Sequence, residues 1–310
     1  MKIGLQVYHF HWPGSPQNIG AKLVEIAKTA DTAGFSSLWV MDHFFQVGQG
    51  FGPPEAPMLE GYSTISYLAA VTQSIKVGLM VTGNFYRHPG ILIKTVTTLD
   101  VLSGGRAYLG IGAGWYEREA KGLGVPFPPV RERIERLEET LQIAKHMWRG
   151  DQSPFNGEYY QLEEPINNPQ PLSQPHPPIL IGCEGEKKML RLVAKYADAV
   201  NFQLGTPLKE YASWLRERYQ NRKKQLTRKL DILKMHCKNV GRSFDDIERT
   251  VLGTIKLAPE AMNSAQVVEL CQELAQMGFH HVIFNMPNVH EIAPIEIIGQ
   301  EVIPQVADMT

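Results

Sequence analysis

The sequence predicts an α/β fold: a single (β/α)8 TIM barrel with loop insertions, spanning residues 1–310 as one domain. The length suits one such barrel, which typically has about 250 residues plus insertions. Eight short apolar runs alternate with runs of helical periodicity, and small or polar residues follow nearly every apolar run. An open, doubly wound sheet is the alternative. That fold favours a GxGxxG turn after its first strand, where this chain has YHFHWPG.

Each predicted strand is a short β-branched or apolar run bounded by turn residues. In chain order, the predicted strands are Lys2 to Tyr8, Ser36 to Met41, Ile75 to Val81, Arg106 to Ile111, Ile179 to Ile181, Ala199 to Gln203, a strand within Glu248 to Leu257, and His281 to Asn285. Two segments, TADTAGFSSLWV and ELAQMGFHHVIF, share the order helix end, Gly-Phe and apolar strand. This echo supports a repeated helix–strand unit.

Apolar residues spaced three and four apart predict the helices between these strands. In chain order, the helices run from Ile19 to Ala33, from about Tyr62 to Thr72, from Pro89 to Leu102, from Val130 to Trp148, after Gly185, within Pro207 to Val240, from Ser264 to Met277 and after Pro294. The proline-rich segment Gly150 to Pro178, with a small hairpin around Asn156-Gly157, is either a domain linker or an excursion within one domain. We favour the excursion because the strand–helix alternation resumes directly after it.

Composition narrows the class of partner. The formal net charge is −1 with both signs interspersed, so nucleic acid and anionic membrane surfaces are not predicted partners. Cys183, Cys237 and Cys271 are far apart and lack CxxC spacing, which predicts a reducing compartment and no structural metal. The chain starts with a strand rather than a secretory leader, and it has no apolar run of roughly 18 residues. We therefore expect a cytoplasmic protein without a membrane span.

In barrels of this kind, catalytic and binding residues lie where strands end and loops begin. The residues predicted there are Gln6, Tyr8, His9, Asp42, His43, Thr82, Gly83, Asn84, Gly112, Ala113, Gly114, Trp115, Gly182, Cys183, Glu184, Gly185, Asn201, Gln203 and Asn285. This set has few paired carboxylates, and the chain has no GxSxG nucleophile turn. His9 and His11 lack a second cluster of metal ligands, so no metal site is predicted. Polar edges, aromatic faces and glycine turns suit a planar cofactor that brings its own chemistry.

Two glycine turns are candidates for the phosphate of such a cofactor. Gly112-Ala113-Gly114 and the segment Gly182 to Gly185 each lie between a predicted strand and a predicted helix. Backbone N–H groups at helix starts bind phosphate oxygens, and we expect Lys187-Lys188 in the first turn of the second of these helices. The alternative is that any turn between a strand and a helix favours glycine. Spacing alone leaves both interpretations open.

Six motifs, taken together and in order, resemble the bacterial luciferase-like superfamily of flavin and deazaflavin oxidoreductases. The motifs are SLWVMDHFF, GLMVTGNFYRHPG, LDVLSGGRAYLGIGAGW, PPVRERIERLEE, PHPPILIGCEGEKKMLRLVAKYAD and CKNVGRSFDDIE, and they span nearly the whole chain. The chain is most similar to the branch that depends on the 8-hydroxy-5-deazaflavin coenzyme F420. This resemblance implies a (β/α)8 barrel, a hydride transfer or a flavin monooxygenation, and a homodimer.

The resemblance also implies roles for residues at the strand ends. Asp42 and His43 match an Asp-His pair beside the cofactor ring, where the histidine is either a base on an alcohol or only a hydrogen-bond donor that lines the pocket. Met80-Val81 matches a non-prolyl cis peptide bond that backs the ring. The residues that would face the ring edge, or form only a polar loop, are Thr82, Gly83 and Asn84. The residues that match the family's backbone contacts to phosphate are Gly112, Ala113, Gly182, Cys183 and Glu184.

Three features depart from the family pattern or have an ordinary structural explanation. Trp115 stands where the sugar-phosphate dehydrogenase branch has a glutamate used as an acid, which removes the case for that substrate. Trp115 instead walls the pocket or packs in the core. Arg87-His88 either holds a charged tail or caps the following helix, and we favour the cap. The basic run Arg216 to Lys229 is expected to be a solvated helix face.

We therefore predict an oxidoreductase that uses deazaflavin for hydride transfer on a small organic substrate. The alternative is a two-component monooxygenase that receives reduced FMN from a separate flavin reductase and reacts with oxygen. A lyase on the same barrel would need a lysine or paired acids at the strand ends, which are lacking. A non-catalytic flavin-binding relative would have an occluded ring site. The substrate itself cannot be named from these residues.

Overall fold

The computed structural model describes residues 1–48, 51–205 and 213–309, with 213–218 described as backbone only. The strands are β1 Lys2–Val7, β2 Ser37–Val40, β3 Lys76–Leu79, β4 Thr82–Gly83, β5 Leu109–Gly112, β6 Phe155–Asn156, β7 Gln161–Leu162, β8 Ile179–Gly182, β9 Ala199–Gly205, β10 Glu248–Thr254 and β11 His281–Asn285.

The helices lie between these strands. They are α1 Ile19–Thr32, α2 Gly61–Val71, α3 Pro89–Leu102, α4 Glu117–Gly122, α5 Val130–Trp148, α6 Met189–Tyr196, α7 Ser213–Val240, α8 Ser264–Gln276, α9 Ala293–Ile297 and α10 Ile303–Val306. A π-helical turn, Ile298–Val302, joins the last two, and short 3-10 turns cover Phe244–Asp246 and Val289–Glu291. None of the described helices is both long and apolar enough to cross a membrane.

The nine parallel strands of the main sheet follow the order β3-β2-β1-β11-β10-β9-β8-β5-β4. Strand β3 lies within the predicted strand Ile75 to Val81, whereas β4 lies just beyond it and was not predicted, and Met80 and Val81 separate the two. Thr82 of β4 pairs with Ile111 of β5, and Val77 of β3 bridges Ala107, just before β5. The two ends of the sheet therefore meet on β5, which confirms the predicted (β/α)8 barrel.

Side chains that alternate along the strands form two apolar layers. The inner cluster contains Trp39, Met80, Leu180, Ala199, Leu252 and Ile283. Their neighbours along the strands, such as Leu38, Leu79 and Ile181, belong to the larger cluster with the helices. Because successive strand residues point to opposite faces, the first cluster fills the barrel and the second joins strands to helices.

A buried polar cluster, which the sequence did not predict, closes the amino-terminal end of the barrel. Trp39 Nε1 donates to Ser37 Oγ at 2.7 Å, and that oxygen lies 3.0 Å from His281 Nε2. His281 Nδ1 lies 3.6 Å from Glu248 Oε1, which also accepts from Lys2 Nζ at 2.8 Å. Lys2, Ser37, Glu248 and His281 are the first residues of their strands. These four side chains therefore lie at the end of the barrel opposite the predicted site.

Several predicted boundaries need correction. Helix α6 begins at Met189, so Lys187 and Lys188 precede it rather than form its first turn. Helix α4 was not predicted. The hairpin is present, but its turn covers residues 157–160 rather than Asn156-Gly157. The Gly157 N–H donates to the Tyr160 carbonyl oxygen at 2.9 Å. Propensity for Asn-Gly turns is a local signal. Here the Glu139 carboxylate of α5 accepts the N–H groups of Glu158, Tyr159 and Tyr160 and holds the turn at those residues.

The long predicted helix is present as α7, and residues 207–212 of the predicted stretch lie outside the described residues. Apolar spacing assigns an inner face to this helix, made of Trp214, Leu215, Tyr219, Leu226, Leu230 and Leu233. The last four are buried, and the side chains of Trp214 and Leu215 lie outside the described residues. The described part confirms the helical spacing from which the prediction was made.

Candidate active site

The peptide bond between Met80 and Val81 is cis, as the resemblance implies. Gln6 of β1 donates from Nε2 to the Met80 carbonyl oxygen at 2.9 Å. A Cβ atom added to Gly112 or to Gly182 would lie 3.0 Å from a methyl group of Val81. A side chain at either strand end would therefore have to displace the Val81 side chain by a few tenths of an ångström. This packing reason is distinct from phosphate binding, and strand spacing alone did not reveal it.

Asp42 is held by groups from the adjacent strand. Its carboxylate is buried and accepts two bonds from the Arg87 guanidinium, at 2.8 and 2.9 Å, and one from the Gly83 N–H at 3.0 Å. Burial raises the pKa of Asp42, and the bonds from Arg87 oppose that rise. Both carboxylate oxygens are therefore engaged within the protein.

Of the pair Arg87-His88, which was predicted to cap helix α3, only His88 forms the cap. His88 Nδ1 accepts from the Gly90 N–H at 3.3 Å. Arg87 instead contacts the carboxylates of Asp42 and Glu60, and lies 4.8 Å from the centre of the Tyr62 ring. Arg87 is thus matched by two carboxylates and does not form the predicted cap.

His43 is hydrogen-bonded to a carboxylate that the sequence analysis missed. Its Nδ1 lies 2.7 Å from Oε1 of Glu119, whose side chain is fully buried. Glu119 also accepts the backbone N–H groups of Phe44 and Phe45, at 2.7 and 3.0 Å, and the hydroxyl of Tyr86. Glu119 belongs to α4, a helix too short to produce a periodic signal, and the contact spans 76 residues of chain.

The donors around Glu119 determine the hydrogen-bonding pattern of His43. Burial raises the pKa of Glu119, but the hydrogen bond and charge of His43 and the other donors outweigh it and lower that pKa below its ordinary value. An ionised carboxylate accepts and does not donate, so the shared hydrogen belongs to His43 Nδ1. In a neutral ring, Nε2 then carries the free lone pair. His43 can therefore accept a proton at Nε2.

Trp115 does not pack in the core, because its side chain is 57% exposed. It is stacked on Tyr116, with 5.1 Å between ring centres and 20° between planes. The edge-to-face contact with His43 has a centre-to-centre distance of 5.6 Å. The core-packing interpretation is therefore wrong, and the pocket-wall interpretation stays a prediction.

Among the described residues, four buried amide side chains leave an acceptor without a partner, and two of them, Asn84 and Asn285, were predicted at strand ends. Asn84 donates to the Arg133 carbonyl at 3.3 Å, and its own Oδ1 has no partner there. Asn285, at the end of β11, has an unpaired Oδ1 as well. Thr82 Oγ1 lies 2.9 Å from the Tyr62 hydroxyl. Buried acceptors are normally satisfied, so these atoms suit a ligand that brings N–H donors.

The turn after β8 is partly engaged by the protein itself. The Cys183 N–H donates to the Asn201 carbonyl at 3.1 Å, and burial raises the pKa of its thiol to about 12. Glu184 contacts Arg222 and Lys229, and the Lys229 side chain is 6% exposed. The predicted solvated face is therefore wrong for Lys229, because a carboxylate at the strand end draws it inward. Arg216 lies outside the described side chains.

Both glycine turns are followed by charges of both signs. After Gly112 and Ala113, α4 carries Glu117 and Glu119 in its first turn. The turn from Gly182 carries Glu184 and Glu186 together with two lysines before α6. Charge therefore does not decide between the two turns as sites for an anionic group. In the described ranges, no group of three or more His, Cys, Asp or Glu residues is arranged to hold a metal ion.

The chain is similar to proteins of known name along nearly its whole length. An F420-dependent glucose-6-phosphate dehydrogenase of Nakamurella multipartita is 25% identical, over 96% of each chain. Other dehydrogenases with the same name match over 41% to 53% of their own length.

Solved structures share the fold. An F420-dependent secondary alcohol dehydrogenase, in complex with an F420–acetone adduct, superposes with a TM-score of 0.80, at 17% identity and 99% coverage of both chains. The oxygenating constituent of 3,6-diketocamphane monooxygenase from Pseudomonas putida, in complex with FMN, has a TM-score of 0.72, at 17% identity and 98% coverage of both chains.

A family model described as luciferase-like monooxygenase matches residues 1–277. The match includes the cis peptide bond, the pair Asp42-His43 and both glycine turns. The chain therefore belongs to the luciferase-like monooxygenase family of oxidoreductases.

Proposed function

We propose that the protein is a deazaflavin-dependent oxidoreductase that transfers a hydride between the coenzyme and the oxygen-bearing carbon of a small organic substrate. The observation that carries this proposal is the 2.7 Å contact between His43 and Glu119, which leaves a base nitrogen at the strand ends. The F420-dependent names of its relatives support the choice of coenzyme.

The residues at the barrel mouth fit a flat, N–H-bearing cofactor. The unpaired Oδ1 of Asn84 suits a donor on the ring edge, and Gly112 and Gly182 leave space beside Val81. The residues that would hold the ring are Met80, Val81, Thr82, Gly83 and Asn84. Those that would hold its phosphate are Gly112, Ala113, Gly182, Cys183 and Glu184. A bound deazaflavin supplies the hydride acceptor or donor.

The protein side of the reaction is a proton transfer at His43. An alcohol hydroxyl within hydrogen-bond reach of Nε2 gives up its proton to that nitrogen, and in the reverse direction Nε2 returns it. The Glu119 carboxylate stabilises the resulting imidazolium through the Nδ1 hydrogen. Asp42, with both oxygens engaged, positions the loop between β2 and α2 relative to β4. We assign Asp42 a positioning role and His43 the catalytic role.

Substitution His43→Gln tests this assignment. We expect hydride transfer from a secondary alcohol to oxidised deazaflavin to slow by about 10²- to 10⁴-fold, as for loss of a general base. The dissociation constant for deazaflavin should stay within about twofold, since the ring contacts assigned above are backbone and neighbouring side chains. Stopped-flow absorbance and equilibrium titration measure the two quantities. A variant as fast as wild type would exclude His43 as the base.

A two-component FMN monooxygenase is the second candidate, because a structural neighbour with the same barrel holds FMN. That function would need a separate flavin reductase as partner. Equilibrium binding of both cofactors to the apoprotein separates the two. Micromolar affinity for FMN together with none for deazaflavin would reverse our order.

We also propose that the chain is one domain, forms a homodimer and works in the cytoplasm. Reduced cysteines and the family resemblance support these expectations. Sedimentation of the purified protein would test the dimer, and a monomer at micromolar concentration would exclude it.

A further inference from the structure

We propose that Trp115 is a stacking platform for the substrate and that it selects neutral, flat aromatic alcohols and ketones over phosphorylated sugars. This inference rests on the proposed function, because it names the substrate class of the same site.

Trp115 is an exposed aromatic held in a fixed orientation. Other tryptophans with described side chains, Trp12, Trp39 and Trp148, are at most 5% exposed, whereas Trp115 is 57% exposed. One face of the indole lies on Tyr116, whose hydroxyl donates to the Gln46 carbonyl at 3.2 Å. An exposed, pre-oriented indole gains from covering its open face with a flat apolar group.

The indole lies beside the proposed base. Ring centres of Trp115 and His43 are 5.6 Å apart, in an edge-to-face arrangement. A hydroxyl bonded to His43 Nε2 would therefore bring the substituents on its carbon within a few ångströms of the indole. Tyr116 also contacts His43, at 5.7 Å between ring centres. The surface next to the base is therefore formed by two aromatic rings, those of Trp115 and Tyr116. This arrangement suits an aryl substituent next to the reacting carbon.

Nearby cations are already matched by carboxylates. Arg87 contacts Asp42 and Glu60, as described above. On α4, Arg118 lies 3.3 Å from Glu55 and Lys121 lies 2.8 Å from Glu117. Within the described residues of the loops after β2, β4 and β5, these ion pairs leave no surplus positive charge for a phosphate dianion. The buried, ionised Glu119 further disfavours such a substrate.

Calorimetric titration of the cofactor-loaded protein tests the proposal. The protein is loaded with whichever of deazaflavin and FMN it binds, and is titrated with acetophenone, acetone and glucose 6-phosphate. We expect acetophenone to bind at least about tenfold more tightly than acetone, the effect of one aromatic stack. Glucose 6-phosphate should not bind measurably. Trp115→Ala should abolish the preference, and Trp115→Phe should retain most of it.

The exposed Tyr67 on α2 provides a matched control, since Tyr67→Ala removes a half-exposed aromatic whose hydroxyl lies beside Gly20 of α1 rather than beside His43. It should leave both ketone affinities unchanged. Equal affinity for acetophenone and acetone in the wild type would overturn the proposal. So would tight binding of glucose 6-phosphate, or a Trp115→Ala variant that weakens the cofactor rather than the ketone.

Turnover of 1-phenylethanol separates this inference from the proposed function. If acetophenone binding depends on Trp115 but no secondary alcohol is oxidised with deazaflavin, the platform stands and the proposed reaction fails. If secondary alcohols are oxidised but an aryl group brings no gain in affinity, the reaction stands and the platform fails.

Discussion

His43 and Glu119 form the pair of side chains on which the chemistry depends. Neither residue alone defines a base: the imidazole needs a partner to fix its hydrogen, and the carboxylate needs its other three donors to stay ionised while buried. His43 was identified from its place at a strand end and from the resemblance. Glu119 lies on a six-residue helix with no periodic pattern, so only the structure revealed it.

Glu119→Gln should lower the rate of hydride transfer without weakening cofactor binding. Glutamine keeps an acceptor oxygen but loses the charge facing His43, and hydrogen bonds to charged groups contribute about 1.5–3 kcal/mol. We expect kcat to fall about tenfold or more, with KM and the deazaflavin dissociation constant changed less than about threefold. Steady-state kinetics and cofactor titration measure these values. Glu117→Gln, an exposed neighbour paired with Lys121, is the matched control.

A double variant decides whether Glu119 acts through His43. If it does, adding Glu119→Gln to His43→Gln should slow the reaction no further, because residues that act as a unit are not additive. An additional tenfold loss in the double variant would contradict a positioning role and indicate damage to the loop after β2.

At the scale of elements, the ends of β3, β4, β5 and β8 pack on one another through Val81. Val81, directly before β4, packs against Gly112 at the end of β5 and Gly182 at the end of β8, so the shape of the ring site depends on three strands at once. The alternation of strands and helices predicted the barrel because that pattern is local. Spacing could not show why Gly112 and Gly182 are glycine, since the reason is a contact with a third strand.

Gly112→Val should weaken cofactor binding by about tenfold or more. The added side chain would displace Val81, because even its Cβ would lie 3.0 Å from a Val81 methyl group. Equilibrium titration with deazaflavin measures the loss. Gly20→Val is the control, because a Cβ on this residue of α1 would meet only the Tyr67 hydroxyl, at 3.8 Å. A folded Gly112→Val protein with unchanged affinity would remove Gly112 from the cofactor site.

At the scale of the whole molecule, the two ends of the barrel carry different sets of polar side chains. The carboxyl end carries the candidate site, while the amino end is closed by the cluster of Lys2, Ser37, Glu248 and His281. Between them lies the apolar inner layer around Trp39 and Met80. The cluster at the amino end contributes to stability, because a buried carboxylate such as Glu248 is tolerated only where its partners remain in place.

Protonation of Glu248 should lower the free energy of unfolding at acid pH. Burial raises its pKa, but His281 and Lys2 outweigh that and lower it to about 2, from an ordinary value of 4.5. Because the folded pKa is the lower one, the ionised group stabilises the fold above about pH 4.5, and this contribution is lost as the pH falls towards 2. The shift corresponds to at most about 3 kcal/mol.

Urea unfolding of Glu248→Gln measures this contribution. The variant should be less stable than wild type by up to about 3 kcal/mol at pH 7, and the difference should shrink at pH 3. Glu260→Gln, on an exposed carboxylate paired with Lys256, should change little at either pH. A difference between Glu248→Gln and wild type that stays constant from pH 7 to pH 3 would contradict the assignment.

The sequence by itself determined the barrel class, most strand and helix positions and the list of strand-end residues that includes Asp42 and His43. These follow from patterns within ten or twenty residues, which a single chain displays directly. Only the tertiary structure decided that Glu119 orients His43, that Arg87 donates to both carboxylate oxygens of Asp42, that Trp115 is exposed to solvent and that Lys229 is buried against Glu184. Three of these are contacts between side chains from separate strand–helix units, and the exposure of Trp115 depends on which units surround it. Such contacts depend on how the barrel closes, and local periodicity carries no information about them.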